Sequence, residues 1–146
     1  MRTIKFRGKS INGIWYYGSL VYSNEINAAI YFQIGRGLVK RMDWVYVNPK
    51  TVGQFSGLCD CEGKEIFEGD IVEWEKDGLM YVVRFWHGMF YASVEECNEG
   101  ILGGFPLHAL TEHEDGKCKI VGNIYDNPEL LKKRIVLKLW EQRLSK

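Results

Sequence analysis

The segment from Gln54 to Trp74, QFSGLCDCEGKEIFEGDIVEW, constrains the fold of this chain more than any other part of the sequence. Gly57, Gly63 and Gly69 recur there every six residues, and glycine reaches positive φ without a steric penalty from Cβ. The short apolar runs between these glycines predict short strands joined by tight turns. We also expect the side chain of Asp70 to accept a hydrogen bond from a nearby backbone N–H group, where a new strand begins.

Most of the remaining chain also has the pattern of short strands. Apolar and polar residues alternate at the N-terminus, and an Asn-Gly turn predicts a hairpin over residues 2–22. The run Leu79–Trp86 is apolar on both faces, which predicts a strand in the middle of a sheet. A glycine-rich step from Gly100 to Gly104 precedes Phe105–Leu110, which we expect to form a helical turn. The predicted fold class is mainly β, with short strands in coiled sheets.

One long helix is predicted at the C-terminal end, from Pro128 to Leu144. It carries two apolar stripes at helical spacing, Leu131, Ile135 and Leu139 on one side and Val136, Trp140 and Leu144 on the other. Two explanations stay open, because the second stripe could lie against another lobe of the same domain or against a second subunit. Basic residues outnumber acidic ones on this helix, which is typical of a solvated face and also suits a polyanion.

Length and composition are those of one ordinary globular domain. The 146 residues are 46% hydrophobic, which argues against disorder, and 19 Lys and Arg balance 19 Asp and Glu. This balance neither implies nor excludes nucleic-acid binding, since a local basic face remains possible. The sequence has no leader-like segment and no apolar run long enough for a membrane span, so we expect a cytoplasmic protein with reduced thiols.

Tests for catalytic and metal-binding motifs give no positive result. Cys59 and Cys61 could bind a metal together with His113 or Cys118, but no second cysteine pair has zinc spacing. The dinucleotide, phosphate-loop, zinc-protease and serine-hydrolase patterns all fail. We expect no metal and no cofactor, surface roles for the acids of the central segment, and partly buried structural histidines, His87 and His108.

Aromatic residues are more numerous than one small core requires. They either fill the core or form a platform that binds a peptide or a single-stranded nucleic acid beside basic groups. The candidate partner surface combines residues of the C-terminal helix with residues near the sequence centre, namely Val136, Trp140, Leu144, Lys133, Arg134, Arg84, Trp86 and Tyr91.

Three motifs in order, FRGK, VGQFSGLCDCEGKEIFEGDIV and IVGNIYDNPELL, resemble the YopX family of bacteriophage and prophage proteins. The resemblance extends from Ile4 to about Leu131, and departs at Cys59 and Cys61, where the family has polar or charged turn residues. It implies a compact, largely β protein with an SH3-like barrel, and no catalytic residue carries over. We therefore expect a single domain over 1–146, with an N-terminal β subregion (1–56), a barrel subregion (57–127) and the C-terminal helix (128–146).

Three functions follow as hypotheses. The first is a non-enzymatic module in which a barrel face or the second stripe of the C-terminal helix binds a protein partner or a second copy of itself. The second is a nucleic-acid-binding accessory protein that uses the basic helix and exposed aromatics. The third is an enzyme acting on a small molecule, which requires a pocket with a buried charged group. Because the sequence lacks catalytic motifs, the first hypothesis is preferred.

Overall fold

The computed structural model describes residues 1–24, 26–97, 100–112, 114, 116–131 and 144–145, and for residues 95–97 and 100–103 it describes the backbone only. Within these ranges the protein is mainly β, as predicted. The strands are β1 (Phe6–Lys9), β2 (Trp15–Tyr22), β3 (Ala28–Ile34), β4 (Arg41–Val47), β5 (Gly53–Cys59), β6 (Glu65–Phe67), β7 (Asp70–Trp74), β8 (Leu79–Trp86), β9 (Met89–Cys97), β10 (Gly100–Pro106) and β11 (Cys118–Asn123). A 3₁₀ helix spans Pro49–Thr51 and a short helix, α1, spans Leu107–Thr111.

The chain divides into two compact units, Met1–Gly57 and Leu58–Lys146. In the first unit the strand order is β4-β3-β2-β1-β5, and β5 continues into the second unit, where β6 joins it. The predicted N-terminal hairpin is confirmed, since β1 pairs antiparallel with the first half of β2. The second half of β2 pairs with β3, and the change occurs beside Gly18, where a Cβ would lie only 2.0 Å from the carbonyl oxygen of Tyr31.

The core of the first unit lies on one face of this sheet. Ala28, Ile30 and Val47 are buried there, and partly buried side chains of β1, β2, β3 and β4 pack against them. Strand alternation places every second residue on the opposite face. The core of this unit thus lies on one face of the sheet, and the other face carries the outward set of side chains, of which Arg7 and Ala29 are also buried.

The second unit contains an antiparallel sheet of order β10-β9-β8-β7-β11. Strand β8 lies in the middle, as its apolar pattern predicts. The core is formed by Ile66, Val72, Tyr81 and Val83 together with Leu107 and Leu110 of α1, which precedes the last strand. No described helix has the length and apolar character of a membrane span.

Two predictions of architecture lie beyond what these sheets establish. An SH3-like barrel is not confirmed, because among the described strands neither sheet is closed on itself. Residues 129–131 are helical, while residues 132–143 and 146 of the predicted C-terminal helix lie outside the described residues.

The central segment turns at Gly63 and Gly69 as predicted, but the turn predicted at Gly57 is wrong, because that residue lies inside strand β5. Gly57, Gly63 and Gly69 have φ of +85°, +78° and +88°. The backbone N–H of Phe67 donates to the Asp70 carboxylate over 2.8 Å, which confirms the predicted turn. The predictions for the glycine-rich step and for the two histidines differ from the structure.

The glycine-rich step at Gly100 to Gly104 is part of strand β10, which pairs with β9. At Gly104 an added Cβ would lie 2.5 Å from the carbonyl oxygen of Ala92, so glycine permits the close approach of these strands. The prediction of partly buried histidines is wrong, since His87 lies in an exposed turn and His108 on the exposed side of α1. Both follow apolar residues in sequence, but adjacency along a turn or helix does not place them on the same face.

Candidate functional site

Strand β4 presents aromatic side chains to solvent. Its sequence, RMDWVYV, alternates, so Val45 and Val47 pack toward the core while Trp44 and Tyr46 point to the other face. Trp44 is 47% exposed and Tyr46 is 56% exposed. Two large rings at successive outward positions are thus open to a ligand.

Strands β3 and β2 continue this surface. Tyr31 of β3 lies opposite Trp44, and Ser19 of β2 lies opposite Tyr31. Tyr17, two residues before Ser19, points to the same side and is 46% exposed. Tyr17, Tyr31, Trp44 and Tyr46 are here called the aromatic face.

Direct ring contacts hold Trp44 in place. The Trp44 and Tyr31 rings are stacked, with centroids 6.1 Å apart and planes inclined by 22°. The Tyr46 ring meets Trp44 edge-on, at 4.9 Å and 81°. Both distances lie in the range of favourable aromatic pairs. Because its neighbours restrict the Trp44 side chain, a ligand that contacts it immobilises less side-chain freedom.

Cations border the aromatic face. In β1, Arg7 lies opposite Tyr17 but is buried, and its guanidinium carbon is 4.7 Å from the centre of the Trp15 ring. The outward positions of β1–β4 hold no acidic residue. The turn from β3 to β4 adds two exposed cations, Arg36 and Lys40, and the exposed Arg41 at the start of β4 belongs to the other side of that strand.

Charge is divided unequally between the two units. The first unit holds eight Lys and Arg against two Asp and Glu, a net charge of +6, and has no histidine. The second holds eleven Lys and Arg against seventeen Asp and Glu, a net charge of −6 with histidine neutral. The aromatic face therefore belongs to a strongly basic unit within a chain whose total charge is zero.

The predicted partner surface is described only in part. Arg84 of β8 lies opposite Tyr91 of β9, and Trp86 is exposed nearby at the end of β8, so these three residues are neighbours. Leu144 is 78% exposed. The other four residues of that surface lie outside the described ranges, namely Lys133, Arg134, Val136 and Trp140. Whether all eight form one surface stays a prediction.

Comparison with family models identifies a match. The model described as YopX protein matches residues 5–132, which is most of the chain. The chain belongs to the YopX family. The resemblance found in the sequence is therefore confirmed. Functionally curated proteins gave no match.

A solved structure resembles this YopX-family protein over nearly its whole length. The crystal structure of protein EF1440 from Enterococcus faecalis matches with a TM-score of 0.58, covering 90% of this chain and 99% of that chain. The two sequences are 20% identical over the match. The likeness supports the fold alone, so the chemistry of the YopX-family chain must be argued from its own residues.

In this YopX-family protein the side chain of Asp60 accepts backbone hydrogen bonds in the turn at residues 60–64, which is called the first turn of the central segment. Asp60 is buried, and its carboxylate accepts the N–H groups of Glu62 and Lys64 at 2.9 Å each and that of Ile120 at 3.1 Å. Burial alone would raise the pKa of Asp60, but the hydrogen bonds from Ile120, Lys64 and Glu62 outweigh it and the pKa is lowered. The prediction that the acids of the segment are surface groups is therefore wrong for Asp60 and Asp70, both of which are buried.

The cysteines differ in environment. Cys59 and Cys61 are exposed, whereas Cys118 is buried, and the backbone N–H of Cys61 donates to the carbonyl of Cys118 over 2.9 Å. Burial, with a further contribution from the charges of Asp60 and Cys61, raises the pKa of Cys118 to about 12. Among the described residues, no three His, Cys, Asp or Glu side chains form a group that could hold a metal ion.

A depression of about 510 Å³ lies on the second unit between the first turn and β7. It is lined mainly by exposed charged side chains, including Glu62 and Lys119, which form an ion pair at 3.0 Å. A hydrogen bond from Lys119 to Glu62 raises the pKa of Lys119. Since both partners remain in solvent, this pair does not supply the buried charged group that the enzyme hypothesis requires.

The sequence shows that aromatic residues are numerous, but it does not show which of them lie together on the aromatic face. Trp44 and Tyr46 alternate with apolar Val45 and Val47, so the pattern alone does not tell which pair faces the core. Strand pairing decides this. The total charge of the chain is zero and so gives no sign that the first unit is basic. A separate count of charged residues before Gly57 shows it.

Proposed function

We propose that this YopX-family protein is a non-enzymatic binding module and that the aromatic face is its ligand-binding surface. The observation that carries the proposal is the set of rings on three adjacent strands, on the side of the sheet opposite the core of the first unit. Exposed aromatic patches of this kind mark binding surfaces, because soluble proteins rarely leave contiguous large rings in water.

The roles of the buried ionisable groups favour binding over catalysis. Asp60 and Asp70 accept backbone hydrogen bonds at turns, and burial keeps the Cys118 thiol protonated at neutral pH. Each group thus has a structural use. Carboxylates that already accept structural hydrogen bonds, and a buried thiol with a raised pKa, are poorly suited to act as a general base or nucleophile.

The experiment uses two selections against the full-length protein, one from a random single-stranded oligonucleotide pool and one from a random peptide library. Enriched ligands are then measured against wild type, the double variant W44A/Y46A and the control Y22A. Tyr22 is 53% exposed in the same unit but lies on the other face of β2. It therefore matches Tyr46 in exposure and differs in position.

We expect at least one library to yield a ligand that binds wild type and Y22A equally and binds W44A/Y46A at least about tenfold more weakly. Circular dichroism must show that the double variant is folded, and Y46A alone repeats the test if it is not. If neither library yields a ligand, or if every ligand ignores the substitutions on β4, the proposal is contradicted.

Finer features of the resemblance are also proposals. We propose that residues 57–127 form an SH3-like barrel, and the five-stranded antiparallel sheet within that range supports the proposal. Self-association through the C-terminal helix, a phage or prophage origin and a cytoplasmic location are proposed on the basis of the sequence. Light scattering over a dilution series tests self-association, which a monomer at all concentrations would contradict.

A further inference from the structure

We propose that the ligand of the aromatic face is single-stranded nucleic acid. This inference rests on the proposed function of that face and adds the chemical class of the ligand. It assigns the nucleic-acid site to residues of the first unit, and not to the C-terminal residues or Arg84 that the sequence suggested.

The arrangement of rings suits unpaired bases. Trp44 and Tyr46 offer two exposed rings along one strand, with centroids 4.9 Å apart and planes nearly perpendicular. Tyr31 and Tyr17 continue the surface across the neighbouring strands. Every base has a π-face that can stack on such rings, whereas the bases of a duplex are already stacked on one another.

The charges around the rings suit phosphates. Arg36 and Lys40 lie in the turn that joins β3 to β4, and both are exposed. Arg41 begins β4 but shares the inward set of the alternation with Asp43, so it does not face the rings. The turn leads into β4, on which Trp44 and Tyr46 follow. A backbone that passes these cations can therefore place its bases on the rings.

Carboxylates do not oppose this arrangement. Asp43 interrupts the aromatic positions of β4, but its side chain belongs to the inward set of the alternation and accepts the Trp44 N–H over 2.9 Å. The only other acid of the first unit in the sequence is Glu25. With a net charge of +6, the unit as a whole attracts a polyanion.

A peptide is the principal rival ligand. Strand β4 is at the edge of its sheet, and an extended peptide could pair with it. Such pairing would use main-chain hydrogen bonds of β4 and would not require the excess of cations. The charge of the unit is the observation that favours nucleic acid over peptide.

Fluorescence anisotropy with labelled oligothymidylate and oligouridylate of about 12 nucleotides tests the inference, with a duplex of equal length for comparison. We expect single strands to bind at least about tenfold more tightly than the duplex at low salt. Trp44→Ala should weaken binding about five- to 150-fold, since stacking on one aromatic ring is worth roughly 1–3 kcal/mol. Y22A should bind as wild type does. R36A/K40A should weaken binding and flatten its salt dependence by about one phosphate contact per residue.

The outcomes separate this inference from the proposed function. If the oligonucleotides do not bind, or if duplex and single strand bind equally and W44A has no effect, the nucleic-acid inference is overturned. If, in addition, selected peptides bind in a manner that depends on Trp44, the binding-module proposal still holds. If Y46A, which changes a single exposed ring, also weakens binding while thermal unfolding is unchanged, the inference is supported without relying on Trp44.

Discussion

The backbone N–H of Ile120 donates to the carboxylate of Asp60 over 3.1 Å, and this bond joins the first turn of the central segment to strand β11. The same carboxylate closes its own turn through the N–H groups of Glu62 and Lys64. One buried side chain thus satisfies two backbone donors of its own turn and a third that lies 60 residues away in the sequence. Asp60 is therefore expected to be important for stability.

Replacing Asp60 by alanine should destabilise the protein by about 2–4 kcal/mol, because three partly buried N–H groups lose their acceptor. Urea unfolding followed by circular dichroism measures this difference. Asp60→Asn is the matched control, since its amide oxygen can still accept hydrogen bonds within the turn, and it should cost less. Equal stability of D60A and wild type would contradict the structural role of this side chain.

The lowered pKa of Asp60 predicts a specific pH dependence. A carboxyl whose folded pKa lies below its unfolded value of about 3.9 stabilises the fold above that value. This contribution is lost as the pH falls through the folded pKa. We therefore expect the difference in unfolding free energy between wild type and D60N to be constant from pH 7 to pH 5 and to shrink below about pH 4. A difference that does not change down to pH 3 would refute the assignment.

Gly69 should tolerate alanine less well than Gly63 does. Both have positive φ, which costs an alanine about 1–2 kcal/mol. An added Cβ at Gly69 would also lie 3.1 Å from a ring carbon of Tyr125, whereas the Cβ of residue 63 would meet no atom within 4 Å. Thermal unfolding of G69A and G63A compares the two positions within one unit. An unfolding temperature for G63A equal to or below that of G69A would count against this account.

Thiol reactivity should follow burial. Cys59 and Cys61 are exposed, and burial raises the pKa of Cys118 to about 12. At pH 8 iodoacetamide should therefore modify Cys59 and Cys61 within minutes and leave Cys118 unmodified until denaturant is added. Peptide mapping by mass spectrometry identifies the modified positions. Early modification of Cys118 would show that the second unit opens more readily than its packing indicates.

Local backbone demands explain which parts of the fold could be predicted from sequence. The turns at Gly63 and Gly69 and the hydrogen bond between Phe67 and Asp70 follow from residue type over a few positions. Strand β10, which was not predicted from the sequence, shows the limit of this reasoning. Its glycines look like turn residues, but Gly104 serves the close approach of β9, which only the tertiary pairing creates.

The candidate site was less accessible to sequence reasoning for the same reason. Residues of the aromatic face come from β2, β3 and β4, and their common side is set by the register Ser19–Tyr31–Trp44. A shift of one residue would exchange this face with the core. Since both sets of side chains on β4 include large apolar groups, no periodicity identifies the outward set.

Indole N–H signals of the five tryptophans provide the most direct test of the binding face. After assignment by Trp→Phe substitution, ¹H–¹⁵N spectra are recorded while a single-stranded oligonucleotide of about 12 nucleotides is added. We predict that the Trp44 signal shifts or broadens at the lowest additions, while that of the buried Trp74 does not. A titration that leaves Trp44 unchanged and shifts only Trp86 or Trp140 would contradict the central claim, because it would place the ligand on the second unit.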